Sequence, residues 1–278
     1  IPLLIGIDAI HGNAQVAGCT VYPTSIGQAS TFDPELVERI CEETAAEMRA
    51  TGSQWTFNPN VEVARDPRWG RVGETFGEDP YLVSVMGAAS VRGYQGRDFS
   101  EPGRVLSCVK HFVGGSQPVN GTNGSPTDLS ERTIREIFFP PFKAGIDAGA
   151  YSMMTAHNEL NGIPCHSNRW LMEDVVRGEW GFEGFIVSDW MDVEHIHDLH
   201  RTATDNKDAF RQSVNASMDM HMHGPQFYEK VIELVKEGAV SESAVNRACL
   251  KILTAKFKLG LFENPYTDTE PTLSLIHI

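Results

Sequence analysis

The sequence predicts an α/β fold, a (β/α)8 TIM-barrel-like domain lacking its first strand–helix unit or units. Three observations lead there. Short apolar runs alternate with longer stretches of helical period, about six such runs can be counted, and most of them end on a polar residue. Repeated strand–helix units imply a parallel sheet. A barrel gathers its strand ends on one rim, where catalysis sits. A doubly wound sheet would gather ligands at a switch point instead, and no Gly-rich phosphate loop follows a strand here.

Taken in order, residues 3–8 read as a strand ending on Asp8. Asp33 is an N-cap with Pro34 at the first helical position, Leu36, Ile40, Ala45 and Met48 share one face, and Gly52 closes the helix. Residues 55–58 form the next strand, ending on Asn58, and Asp79-Pro80 opens a helix running to about Gly93. Residues 105–111 are a strand ending on Lys110-His111, followed by a Gly/Asn/Ser/Pro-rich loop over 114–127. Ser130 caps a helix with Glu131 and Glu136 in its early turns, reaching about Gly149. Residues 152–157 are a strand ending on His157, and Asn168 caps a helix to about Gly178. The clearest strand is 185–189, ending on Asp189. A helical stretch then precedes a short run, 217–220, in which Asp219 is read as a further strand-end acid on the rim. Two helices close the chain, 226–237 and 241–259, the second capped by Ser241.

The chain has 278 residues, with 41% hydrophobic and 9% aromatic content, enough for a real core and too much for a disordered chain. Its charge, 23 − 37 = −14, argues against a nucleic-acid partner, whose phosphates need clustered Lys and Arg. No apolar run approaches the roughly 20 residues that span a bilayer, so no membrane partner is expected. The five cysteines, Cys19, Cys41, Cys108, Cys165 and Cys249, form no C-x-x-C pair and read as buried small hydrophobes. The chain opens without Met on what is already a strand, which points to a missing upstream segment and leaves localisation open. Residues 273–278 fit no element. They match one reading frame of a transposon-end adaptor and are set aside as a non-native tail.

The strongest chemical constellation is Val187-Ser188-Asp189-Trp190: an apolar strand delivers a carboxylate to the rim, followed by a large aromatic. Sugars present flat C–H faces and rings of hydroxyls, and a glycosidase needs a carboxylate at the anomeric carbon. Asp189 is equally readable as a helix N-cap. Lys110 and His111 would point to opposite faces in regular β geometry, although strand twist at a terminus can bring both into a pocket. Asp8 is a third strand-end acid. Residues 65–71 pack three Arg around Trp69, as a binding loop or as a solvated one.

These motifs resemble glycoside hydrolase family 3, the β-glucosidase type, over residues 1–268. The matching stretches are Gly6-Ile7-Asp8-Ala9-Ile10-His11-Gly12, the run from Arg65 to Arg71 with 73–80, Val109-Lys110-His111-Phe112, Val187-Ser188-Asp189-Trp190 and Lys258-Leu259-Gly260-Leu261-Phe262. The resemblance implies a partial barrel domain over 1–262, the start of an interdomain linker over 263–272, and periplasmic or secreted location as compatible. It implies a retaining exo-β-glycosidase acting on terminal β-D-glucosyl residues, with Asp189 as nucleophile and no cofactor or metal. Asp8, Arg71, Lys110 and His111 would bind the non-reducing sugar and Trp190 would line the entrance. His157 stands where many relatives carry Tyr. The partners implied are an oligosaccharide or β-glucoside substrate and a following domain that supplies a Glu as acid/base.

Two departures qualify the resemblance. Loop 114–123 contains no Arg, and it lacks the His-Gly-Asp pattern with which the N-acetylglucosaminidase branch supplies its acid. Two rival readings stay open at this point. One is a metal-dependent barrel hydrolase using His195, His197, Asp198, His200, Asp219, His221 and His223. The other is a non-catalytic sugar-binding remnant.

Overall fold

A computed structural model describes residues 1–267. The expectation of a non-native tail over 273–278, and the second half of the expected linker, 268–272, lie outside the described residues. Five parallel strands wind in chain order: β1 (Gly6–Ile7), β2 (Trp55–Thr56), β3 (Cys108–Phe112), β4 (Ser152–Thr155) and, after a small antiparallel hairpin of β5 (Glu159–Leu160) and β6 (Ile163–Pro164), β7 (Phe185–Val187). Parallel bridges Trp55–Leu106 and Asn60–Lys110 join β2 to the β3 segment, and Val187–Met220 adds a sixth position. Each crossover passes through helices, so the polar strand ends all face one way, as a singly wound wall requires.

The helices start where the capping residues predict. Asp33 accepts from the Leu36 N–H at 3.0 Å to open α2 (Pro34–Ala50), after the short α1 (Ser25–Ala29) that the sequence reading missed. Asp79 does the same for α3 (Pro80–Gln95), accepting from Leu82 at 2.7 Å. α2 and α3 pack so closely that a Cβ at Gly93 would lie 2.2 Å from the Glu38 carbonyl, which is why a glycine stands there. Ser130 caps α4 (Glu131–Thr133), which runs through a π-helical segment (Ile134–Phe138) into α5 (Phe139–Asp147). The helix expected after Asn168 is capped by it but is π-helical (Trp170–Glu179). α6 (Asp192–Asp198), α7 (Asn206–Asn215), α8 (Phe227–Lys236) and α9 (Glu242–Lys258) follow.

Four readings need correction. The strand expected over residues 3–8 shortens to Gly6–Ile7, with the Ile5 carbonyl also accepting from the Trp55 N–H at 3.2 Å, and the run over 217–220 forms a single bridge. The cysteines are not uniformly buried: Cys249 is exposed on α9 and Cys19 is half-buried in a loop. Asp219 ends no strand on the rim. At period 2 it points away from the interior that Met220 faces. There it meets Arg177, the Ile186 N–H at 2.8 Å and Lys251 at 3.8 Å.

Inside the wall an apolar cluster unites Trp55, Leu106, Cys108, Met154, Phe185 and Val187. The Trp55 indole N–H donates to Ser152 Oγ at 2.8 Å, which settles the one polar atom of that ring. Phe57 and Phe185 meet Trp55 edge-on at 4.7 and 5.1 Å. This packed interior is the floor on which the rim residues stand.

Candidate active site

The strand ends enclose a cavity of about 510 Å³, within the range of small-ligand pockets. Trp55, Phe57, Met154, Val187 and Met220 form its floor, and Asp8, Arg71, Lys110, His111, His157, Asp189 and Trp190 stand around it. All seven residues expected to bind or attack a sugar thus meet in one place. Lys110 and His111 both reach it because the β3–β4 register shifts between Val109 and Phe112, where an extra residue on β3 makes a bulge. A bulge re-aims a side chain that regular alternation would send outward.

Asp189 lies two residues beyond β7, with its carboxylate mostly buried. Oδ2 is 3.0 Å from His157 Nε2 and 3.5 Å from His111 Nε2, while Oδ1 accepts from the Trp190 N–H at 2.6 Å. Its own N–H donates to His166 Nε2 at 3.0 Å. Burial pushes the buried His166 down to about 4, so its lone pair is free to accept. Burial raises the Asp189 pKa, and the nearby His157 charge works against that rise.

The two imidazoles are each anchored through Nδ1. His157 Nδ1 is 2.6 Å from Asp192 Oδ2, and His111 Nδ1 is 2.8 Å from Glu62 Oε2. Arg71 grips Glu74 through Nε and Nη2, both at 2.9 Å, and Nη2 also reaches His111 Nε2 at 3.0 Å. Lys110, whose side chain is 4% exposed, donates to Asp8 Oδ1 at 2.7 Å; the Asp8 side chain is 48% exposed. Trp190 is 59% exposed and lies flat on His223 at 3.9 Å, which leaves its other face open at the mouth.

Sequence reasoning missed the layer behind these groups: Glu62, Glu74, His166 and Asp192. One signal was present. Asp192 follows Asp189 by three residues at the opening of α6, a spacing that places two side chains on one side of a turn. The histidines proposed as a metal set are dispersed: His197 binds the Ala203 carbonyl, His200 the His157 carbonyl, and His221 the Glu194 carboxylate. His111, His157 and Asp189 do place three donor atoms within 4.8 Å of one another. A dication there would be set against the Arg71 guanidinium, already 3.0 Å from His111 Nε2, which disfavours a metal at this trio.

Carboxylates and cationic donors over an apolar floor, with an open indole at the mouth, make up a site suited to a polyhydroxylated ring. The profile described as the glycosyl hydrolase family 3 N-terminal domain matches residues 1–255, and the chain belongs to that family. It is 40% identical over 273 residues to a β-xylosidase of Formosa agariphila, covering 92% of this chain and 38% of that protein. It is 39% identical over 272 residues to the periplasmic β-glucosidase of Salmonella typhimurium, covering 98% and 35%. The structure of a β-glucosidase from Listeria innocua in complex with glucose superposes with a TM-score of 0.92 at 39% identity, covering 96% of this chain and 36% of that one. The chain spans little more than a third of the length of these relatives.

Proposed function

We propose that this domain belongs to a retaining, exo-acting β-glycosidase of the β-glucosidase type, and that its strand wall is an incomplete (β/α)8 barrel over residues 1–262. Asp189 is the nucleophile. Its carboxylate oxygen attacks the anomeric carbon, the bond to the aglycone oxygen breaks, and the aglycone leaves with a proton from a general acid. Water then cleaves the glycosyl ester and returns the carboxylate. Asp8, Lys110, Arg71 and His111 hold the hydroxyls of the terminal sugar, His157 holds the nucleophile, and Trp190 stacks on the next ring.

The observation that carries this reading is Asp189 Oδ2 in the cavity, 3.0 Å from one imidazole nitrogen and 3.5 Å from another. Among the described residues, the acids lining the cavity are Asp8 and Asp189, and Asp8 is engaged by Lys110. The family resemblance implies a Glu of a following domain as general acid, and without it activity on natural glucosides should fall by about 10²–10⁴-fold.

The test is intact mass after incubation with a 2-deoxy-2-fluoro β-glucoside whose dinitrophenolate departs without an acid. The expected result is a one-to-one sugar adduct, absent from Asp189→Ala. Sugar binding by the folded chain without an adduct would replace this reading with a non-catalytic one.

A further inference from the structure

Four side chains lead in a line from the cavity toward the surface. His157 sets Nε2 3.0 Å from Asp189 Oδ2 and Nδ1 2.6 Å from Asp192 Oδ2; His195 brings its own Nδ1 to 2.7 Å from Asp192 Oδ1. The Asp192 side chain is 2% exposed and stands behind the cavity wall, whereas that of His195 is 35% exposed. We infer that Asp192 is a positioning residue for the proposed reaction: through Nδ1 it fixes His157 as a doubly protonated ring whose Nε2–H points at Asp189, with His195 as its outer partner. The inference rests on Asp189 being the nucleophile.

The argument is one of donors and acceptors. A neutral imidazole has a single N–H. Whichever nitrogen held it, the other would turn a lone pair on a carboxylate oxygen at 2.6 or 3.0 Å. Only the imidazolium donates at both ends. Burial opposes a charge on His157, but the Asp192 hydrogen bond and the Asp192 and Asp189 charges outweigh it, and the net pKa is raised. Asp192 answers in kind: burial opposes its charge too, yet His157 and His195 hold it ionised far below the ordinary carboxylate range.

Other groups face this pair. Arg71 opposes the His157 charge from the loop between β2 and α3, and the His111 ring stacks on His157 at 5.7 Å with Glu62 behind it. His166 lies 3.7 Å from Asp192, and His200 Nε2 meets the His157 carbonyl at 3.1 Å. His166, pushed down by burial, adds no charge near neutrality. In the first step the Nε2–H keeps Asp189 ionised for attack. In the second it donates to the same oxygen as the glycosyl ester breaks, the proton staying on His157 throughout.

The test combines ¹⁵N imidazole titration of the whole chain, with His157 assigned by His157→Gln, and dinitrophenolate release from the fluoro-glucoside as a function of pH. His157 should titrate above about 6.5, its unperturbed value, and the alkaline limb of adduct formation should sit at the same pH. Asp192→Asn should lower both by about one unit or more. His157→Gln should abolish that limb, and adding Asp192→Asn to His157→Gln should change the pH profile no further. A limb that stays put while the His157 titration falls would overturn the inference, as would a wild-type His157 titrating at or below its ordinary value. The latter measurement decides alone should Asp192→Asn not fold. An adduct on the wild type keeps Asp189 as nucleophile whatever His157 does, whereas a folded chain forming none removes both readings.

Discussion

Two imidazoles flank the same carboxylate, and each rests its Nδ1 on a buried acid, yet their surroundings push their protonation in opposite directions. Burial pushes His111 well below the ordinary range, and the neighbouring Arg71 and Lys110 charges push it further. His157 is pushed upward despite burial, because Asp192 and Asp189 outweigh the cations near it. The backing acids differ in the same sense. Burial raises Glu62 to about 7, while Asp192, with two imidazole donors, stays ionised. A carboxylate behind an imidazole therefore does not by itself make the ring a cation. The sum of charges around the pair decides, and here it sets a neutral acceptor of the Arg71 N–H beside a ring favoured as a cationic donor to Asp189.

The largest expected effect breaks this comparison if it is wrong. His157→Gln should slow adduct formation by about 10²–10³-fold, the usual cost of removing one preorganised group from developing charge. It should also move the acidic limb upward, since Asp189 is already raised by burial and loses the charge that offsets it. His111→Gln should cost about tenfold at most, the worth of one hydrogen bond, and leave the acidic limb in place, because a neutral ring cannot hold Asp189 ionised. Rates measured against pH on folded protein decide between them. Equal shifts of the limb would make the two rings equivalent.

Next in size is a stability effect at Glu62. Its folded carboxyl keeps a proton up to about pH 7, where the unfolded one loses it near about 4.3. Between those values the folded state binds more protons, so stability falls as pH rises. The pocket fits a protonated acid. Glu62 Oε1 and Asn158 Oδ1 are buried acceptors without partners, and a Cβ on Gly115 would lie 2.9 and 3.2 Å from them. Glu62→Gln should match the wild type at pH 5 and exceed it at pH 8 by roughly 1–3 kcal/mol in urea unfolding. A variant less stable at pH 8 would make Glu62 an ionised partner like Asp192 and erase the contrast.

The front of the site was legible for a physical reason. A parallel wall sends the ends of its strands to one rim, so Asp8, Lys110, His111, His157 and Asp189 could be gathered from strand ends alone. Arg71 lies on a loop; the Arg-rich run 65–71 marked it as a candidate, and its role came from the motif resemblance. The layer behind was not legible: Glu62, His166 and Asp192 reach the rim residues through packing, over separations of 49, 23 and 35 residues in the contacts they make. Asp219 failed in the opposite way. Its type and place in an apolar run suggested the rim, but the alternation along that run turns Met220 inward and Asp219 toward Arg177.

The smallest effect is the sharpest test of the charged side of the comparison. His157 and His195 share Asp192, one on each oxygen, and each resists the other's proton. His195→Gln removes a competing donor from Oδ1 and a like charge from the neighbourhood, so Asp192 should hold the His157 proton more firmly. The alkaline limb should move up by a few tenths of a unit, opposite in sign to Asp192→Asn and smaller, as expected for a partly solvated group. A purely structural role for Asp192 predicts no movement, or a loss of rate at every pH. A downward shift with His195→Gln would mean that His195 supports the His157 charge rather than competing for it, and the shared-carboxylate arrangement would have to be replaced by a chain in which the outer imidazole is neutral.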